Sequence, residues 1–186
     1  MWRYSTGTRQ QLPPQLFEQM GHYRREIFIN QLGWELNTVK GMELDEFDGP
    51  DAVYVCAHDD EGQISGVARL LPTTAPYLME KVFPQLWGGK QLPCDPKIWE
   101  LSRFAAASPF PTGAIEHQAS AQHASELLRN VMRVASMLLG AQTLVTVSPV
   151  GMERLLRING FGAKRSGTVM QRDGETIVCL VMESVI

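Results

Sequence analysis

Residues 98–148 read IWELSRFAAASPFPTGAIEHQASAQHASELLRNVMRVASMLLGAQTLVTVS. Ile98 to Phe104 predicts a strand, followed by a loop that contains proline and glycine. The spacing of Ala124, Leu127, Leu128, Val131, Val134, Ala135 and Leu138 then predicts the apolar side of a helix running from about Glu116 to Leu139. Thr143 to Ser148 reads as a second strand.

Upstream, Pro14 to Leu32 carries Leu16, Phe17, Met20, Tyr23, Ile27 and Phe28 at helical spacing, with proline near the start. Gly33 to Asp51 is polar and acidic and reads as a loop. Ala52 to Ala57 and Ile64 to Leu71 predict strands joined by Asp59-Asp60-Glu61-Gly62, an antiparallel hairpin. Tyr77 to Leu86 predicts a short helix, Gly151 to Ile158 one that stops at Asn159-Gly160, and Thr176 to Met182 a final strand. This order predicts an α/β (α+β) sandwich, a mixed central sheet with helices on both faces, in one domain spanning 1–186. With no GxGxxG after a first strand and no GxxxxGK[ST], neither dinucleotide nor nucleoside-triphosphate cradles have support.

A chain of 186 residues can bury a sizeable core without metal or disulfide staples. Its 44% apolar and 20% charged residues exclude a disordered or low-complexity protein. The net charge of −3 conceals an asymmetry, because residues 1–100 carry 9 bases and 14 acids whereas residues 101–186 carry 8 and 6. Between Arg129 and Arg172 seven bases meet one acid, Glu153, which offers a docking field to an acidic partner. Cys56, Cys94 and Cys179 form no ligand spacing and read as reduced thiols of a cytoplasmic protein. The first residues lack a signal-peptide core, and no apolar run approaches the roughly 18 to 20 residues of a membrane span. The four histidines have no metal-ligand spacing, so no metal is expected.

Two stretches carry chemistry. Arg24 and Phe28, four residues apart, share a helix face; Trp34 follows, and Glu43, Asp45, Glu46 and Asp48 cluster behind it. Aromatic rings beside carboxylates suit a ligand with a planar part and a cationic part, and the same pattern also suits a solvated acidic loop packed on the core. In Trp99 to Phe104, alternation puts Glu100, Ser102 and Phe104 on one face and Trp99, Leu101 and Arg103 on the other. A glutamate and an arginine in so apolar a strand must be paired or functional. For both to meet one ligand, a bulge near Ser102 has to re-aim one of them.

Arg24, Phe28, Trp34, Asp45, Asp48, Arg69 in Ala68-Arg69-Leu70-Leu71-Pro72-Thr73-Thr74, Phe83, and Glu100 with Arg103 in the Trp-Glu-Leu-Ser-Arg-Phe-Ala run resemble the signature of the acyl-homoserine-lactone synthases, the LuxI-type autoinducer synthases. The resemblance extends through Val147 to Arg154. It implies a fold like that of the GCN5-related N-acetyltransferases, and a reaction joining S-adenosylmethionine, a substrate and not a cofactor, to a fatty acyl thioester on acyl carrier protein. By the same resemblance Arg24, Phe28, Trp34, Asp45, Asp48, Arg69, Phe83 and Phe104 form the S-adenosylmethionine side and its ion-pair network. Glu100 is the candidate base for the attacking amine, and Arg103 holds either Glu100 or the substrate carboxylate.

The acyl chain needs an apolar tunnel. Met79, Leu101, Ser102, Phe104, Leu144, Thr146, Met152 and Leu155 are candidates that plain core packing would also explain. A hydroxyl at Thr146 or Ser148 could bond a 3-oxo group, or its own backbone. Arg154, Arg157, Lys164 and Arg165 are the candidate docking site for the acidic carrier. Two other readings stand beside this one. A coenzyme A-dependent N-acyltransferase of the same fold would carry a Q/R-x-x-G-x-G/A loop where this chain has Ala105-Ala106-Ala107-Ser108-Pro109-Phe110, and an inactive carrier-binding module would not need the intact polar set.

Overall fold

The computed structural model describes residues 2–107, 114–172 and 174–183. Strand β1 (Arg3–Thr8) leads to helix α1 (Pro14–Arg24), which continues with π-helical winding over Arg25–Gln31. Strands β2 (Thr38–Val39) and β3 (Met42–Glu43) form a small antiparallel hairpin, and β4 (Val53–His58) and β5 (Ile64–Pro72) follow. Helix α2 (Leu78–Val82) and a 3-10 turn (Pro84–Trp87) precede β6 (Ile98–Ala105). Helix α3 (Ala114–Arg133), π-helical over Val134–Leu138 at its end, leads to β7 (Thr143–Pro149), α4 (Val150–Ile158), β8 (Lys164–Arg172) and β9 (Glu175–Glu183).

The large sheet has the order β1-β4-β5-β6-β7-β9-β8. It is mixed, since β6 and β7 pair in parallel while β1 with β4, β7 with β9 and β8 with β9 are antiparallel. A parallel pair needs a crossover connection, which α3 supplies. The strand, helix, strand reading of residues 98–148 is therefore met. Strands β1 and β8 are not foreseen from the sequence, and both are sheet edges. β8 is largely exposed and β1 mostly half-buried, and both are built mainly of polar residues and glycine, so they lack the apolar alternation that marks a strand.

Leu127, Leu128, Val131 and Ala135 are buried as the helical spacing predicts, but Leu138 is 66% exposed. The wider π-helical winding from Val134 carries that last position off the apolar face. The stretch Gly33 to Asp51, read as a loop, contains the β2–β3 hairpin. The loop expected after Phe104 falls, from Ser108 to Gly113, outside the described residues. Among the described residues no helix is long and apolar enough to cross a membrane.

The chain divides into two compact units, Met1–Arg69 with Arg103–Val131 and Leu70–Ser102 with Met132–Ile186. In the first, Leu16, Phe17, Met20, Tyr23, Ile27 and Phe28 of the N-terminal helix are buried with Tyr54, Val55, Cys56, Val67, Leu127 and Leu128. In the second, Tyr77, Met79, Leu86, Leu101, Leu144, Leu156, Val178 and Leu180 form the core.

Candidate active site

In the first unit the hairpin β2–β3 brings the acidic stretch onto α1. Gly21 makes this possible, since a Cβ there would lie 2.7 Å from the Cβ of Met42. Glu43, next to Met42, is fully buried and accepts from Arg24 Nε at 2.6 Å. Arg24 also forms a bidentate pair with Asp48, at 2.7 and 3.0 Å. Arg69 of β5 forms a second bidentate pair with Asp45, at 2.5 and 3.1 Å, and lies 3.0 Å from Asp48. Arg103 of β6 donates from Nη2 to Glu43 at 3.0 Å and to Asp45 at 2.8 Å.

These contacts close a ring. Glu43 lies between Arg24 and Arg103, Asp45 between Arg103 and Arg69, and Asp48 between Arg69 and Arg24. Three guanidiniums and three carboxylates alternate, so each buried charge is compensated on both sides. Burial alone would raise the Asp48 carboxyl; Arg24 and Arg69 outweigh it and hold the group well below the usual carboxylate range. Glu43 is lowered in the same way, burial being overcome by Arg24 and Arg103. The ring is braced by Tyr54, whose hydroxyl donates to Asp48 at 2.8 Å, and by the Asp45 backbone N–H, which donates to the same carboxylate at 2.7 Å.

The sequence does not separate the acids that face a ligand from those that orient an arginine, and burial distinguishes them. The side chains of Glu43 and Asp48 are 0% and 3% exposed, whereas that of Asp45 retains 18%. Beside the ring the Phe28 and Trp34 rings stack at 5.0 Å and 21°, and Arg103 lies 5.6 Å from the centroid of Phe28. Arg103 adopts φ 49°, a left-handed conformation inside a strand that breaks the alternation of β6. The break expected near Ser102 therefore falls one residue later. Phe104, half-buried, also belongs to this unit.

In the second unit, Glu100 is fully buried on β6. Its Oε2 accepts the backbone N–H of Leu78 at 2.8 Å and its Oε1 that of Met79 at 2.7 Å, so the carboxylate is oriented by the first residues of α2. Burial, and then the charge of Glu100, push the Tyr77 phenol up and raise the Cys179 thiol to about 12. Strands β6 and β7 pair over Ile98↔Thr143, Trp99↔Leu144 and Glu100↔Val145, while β7 stays paired with β9 through Pro149. Leu101 and Ser102 are thus parted from Thr146 and Val147.

Of the residues expected to line the acyl chain in this unit, Met79, Leu101 and Leu144 are fully buried, Ser102 and Thr146 nearly so, and Met152 and Leu155 of α4 half-buried. The Ser148 hydroxyl is buried with no hydrogen-bond partner. Phe83 lies in this unit too, 5.4 Å below the Arg172 guanidinium. Of the four basic residues proposed for docking, Lys164 pairs with Glu183 at 3.0 Å and Arg165 with Glu153 at 2.6 Å. Arg154 and Arg157 are exposed on α4.

Glu43 belongs to the acidic cluster but not to the family signature quoted above, and the 43, 45, 48 spacing is its only signal in the sequence. Tyr54 and the amides of Leu78 and Met79 had none, because backbone donors carry no residue type.

The autoinducer synthase family profile matches residues 10–185. An acyl-homoserine-lactone synthase of Acinetobacter nosocomialis is 46% identical over 169 residues, 89% of this chain and 91% of that protein. Among solved structures, TofI in a ternary complex with an inhibitor and MTA superposes with a TM-score of 0.82 at 35% identity, over 97% of this chain and 91% of that chain. An acyl-CoA N-acyltransferase from Pseudomonas aeruginosa superposes with a TM-score of 0.61 at 16% identity, over 97% of this chain and 99% of that chain. That last likeness is one of fold alone, and it bears out the expected N-acetyltransferase-like sandwich.

Proposed function

This chain belongs to the autoinducer synthase family and is an acyl-homoserine-lactone synthase, an acyltransferase, and on that premise we propose that it joins the amine of S-adenosylmethionine to an acyl group carried by acyl carrier protein. The amine attacks the thioester carbonyl, the new N–C bond forms as the C–S bond breaks, and the carrier thiolate leaves and is protonated. The substrate carboxylate then attacks its own γ-carbon, and the bond to the sulfonium breaks. Methylthioadenosine and the lactone depart. Neither step requires a cofactor. Acyl transfer depends on bringing two bound reactants together, where positioning contributes most, and ring closure on aiming the carboxylate at the carbon attached to the sulfonium.

The observation that carries this reading is the ring of three arginines and three acids beside the Phe28–Trp34 stack. Asp45, the acid that keeps exposure, holds the cationic end of S-adenosylmethionine, and the aromatic pair takes its planar part. Glu43 and Asp48 orient the arginines. Glu100, its carboxylate oriented by the amides of Leu78 and Met79, takes the amine proton, directly or through a water. Met79, Leu101, Leu144, Met152 and Leu155 wall the acyl chain, and the orphan Ser148 hydroxyl supports a polar substituent at its 3-position. Arg154 and Arg157 receive the carrier. The free Cys56, Cys94 and Cys179 suit a cytoplasmic enzyme.

The test is incubation of the purified protein with S-adenosylmethionine and a panel of acyl carrier protein and coenzyme A thioesters, with mass spectrometry for lactone and methylthioadenosine. Lactone from the carrier thioesters is expected. Faster turnover of coenzyme A thioesters overturns the choice of donor, and no lactone from either overturns the reaction.

A further inference from the structure

We propose that a backbone interlock between Gly88 and Gly167 positions the segment that holds Glu100 and Met79, and so governs acyl-chain selectivity from outside the site. Gly167 sits where the pairing of β8 with β9 shifts register between Ser166 and Val169, with φ 71°. An added Cβ there would collide with the Leu86 carbonyl oxygen and lie 2.6 Å from the Trp87 carbonyl carbon. From the other side, a Cβ on Gly88, at φ 74°, would lie 2.9 Å from the Gly167 Cα. The Thr168 hydroxyl adds a hydrogen bond to the Gln85 carbonyl at 2.9 Å. The bulge of β8 and the end of the 3-10 turn therefore meet backbone to backbone, which only glycine permits at both positions.

Hydrogen bonds carry this contact to the site. Gly88 N–H bonds Gln85, Leu86 N–H bonds Phe83 at 3.0 Å, and Phe83 N–H bonds Met79 at 3.1 Å. Met79 and Leu78 then donate their own amides to Glu100. The Met79 sulfur lies 3.4 Å from Cys179 on β9, so its side chain rests on the hairpin whose other strand carries the bulge. A side chain at either glycine must push the segment off the bulge and move Met79 with it.

The inference rests on the reading of Met79 as an acyl wall, so its test has two readouts. Gly167→Ala and Gly88→Ala are compared with Gly174→Ala, which imposes the same left-handed strain, φ 79°, in open space. Hydrogen exchange of the Leu78 and Met79 amides reports the segment directly. The ratio of lactones formed from an equimolar mixture of a short and a long acyl carrier protein thioester reports selectivity, and partial unfolding cannot change that ratio. We expect faster exchange at both amides and an altered product ratio in the two interlock variants, with kcat/KM for the favoured donor falling by up to about a hundredfold. Gly174→Ala should change neither readout. Unchanged exchange in both interlock variants overturns the interlock. Faster exchange with an unchanged ratio leaves the interlock standing and overturns the reading of Met79 as an acyl wall.

Discussion

Arg103 reaches Glu43 across 60 positions of sequence, with Nη2 3.0 Å from Oε1 and Nε 3.2 Å from Oε2. The pair joins a hairpin of the first unit to the left-handed residue of β6, and it closes the ring begun by Arg24, Asp48, Arg69 and Asp45.

The ring makes stability fall in acid. Glu43 and Asp48 have folded-state values below the unfolded value of about 4, so their contribution is complete above that pH and is lost as pH falls through the folded values. Urea midpoints should be flat from about pH 7 to pH 5 and drop below about pH 4. Glu43→Gln leaves the buried guanidiniums short of a counter-charge and should cost about 3–5 kcal/mol at neutral pH, with a shallower acid dependence. A variant with wild-type midpoints throughout would show that the ring does not contribute to stability.

Trp34 is half-buried, whereas Phe28 is 2% exposed. Trp34→Ala should therefore weaken S-adenosylmethionine binding by about 0.5–1.5 kcal/mol, measured by calorimetry, at little cost in melting temperature. Phe28→Ala should destabilise the fold by about 3–5 kcal/mol. Equal melting losses in the two variants would argue against a ligand role for Trp34.

Glu100→Gln retains an acceptor for an amide donor but cannot take a proton. It should lower kcat by about 10²–10⁴-fold while S-adenosylmethionine affinity changes by less than about twofold. Parallel losses of turnover and affinity would make Glu100 a binding residue.

Ser148→Ala removes a hydroxyl that has no partner, so stability should hold or rise. If that hydroxyl receives a 3-oxo group, kcat/KM for 3-oxo donors should fall by about tenfold relative to unsubstituted ones, the worth of one hydrogen bond. An unchanged ratio in competition assays removes Ser148 from the site.

Double reversal of Arg154 and Arg157 to glutamate should raise KM for acyl carrier protein by on the order of tenfold at low salt, an effect that salt diminishes. Reversing Lys164 and Arg165 should do less, because Glu183 and Glu153 already partner them. Equal effects from the two pairs would place docking elsewhere.

The buried elements were legible in the sequence because burial imposes a period. The helix from Pro14 and the strand, helix, strand of residues 98–148 both follow the spacing of their apolar residues. The edge strands β1 and β8 were not, since the half-buried residues of the one and the exposed residues of the other ask for no apolar alternation. The family signature likewise named Arg24, Asp45, Asp48, Arg69, Glu100 and Arg103 one by one. Local sequence could show that these charges were too costly to bury alone. Their pairing belonged to the tertiary structure, because a guanidinium on α1, another on β5 and a third on β6 meet acids of the 43–48 stretch only after the chain has folded. The same holds for Glu100, whose partners include the backbone amides of Leu78 and Met79. Any residue type but proline supplies such a donor, so no side-chain pattern could have announced it.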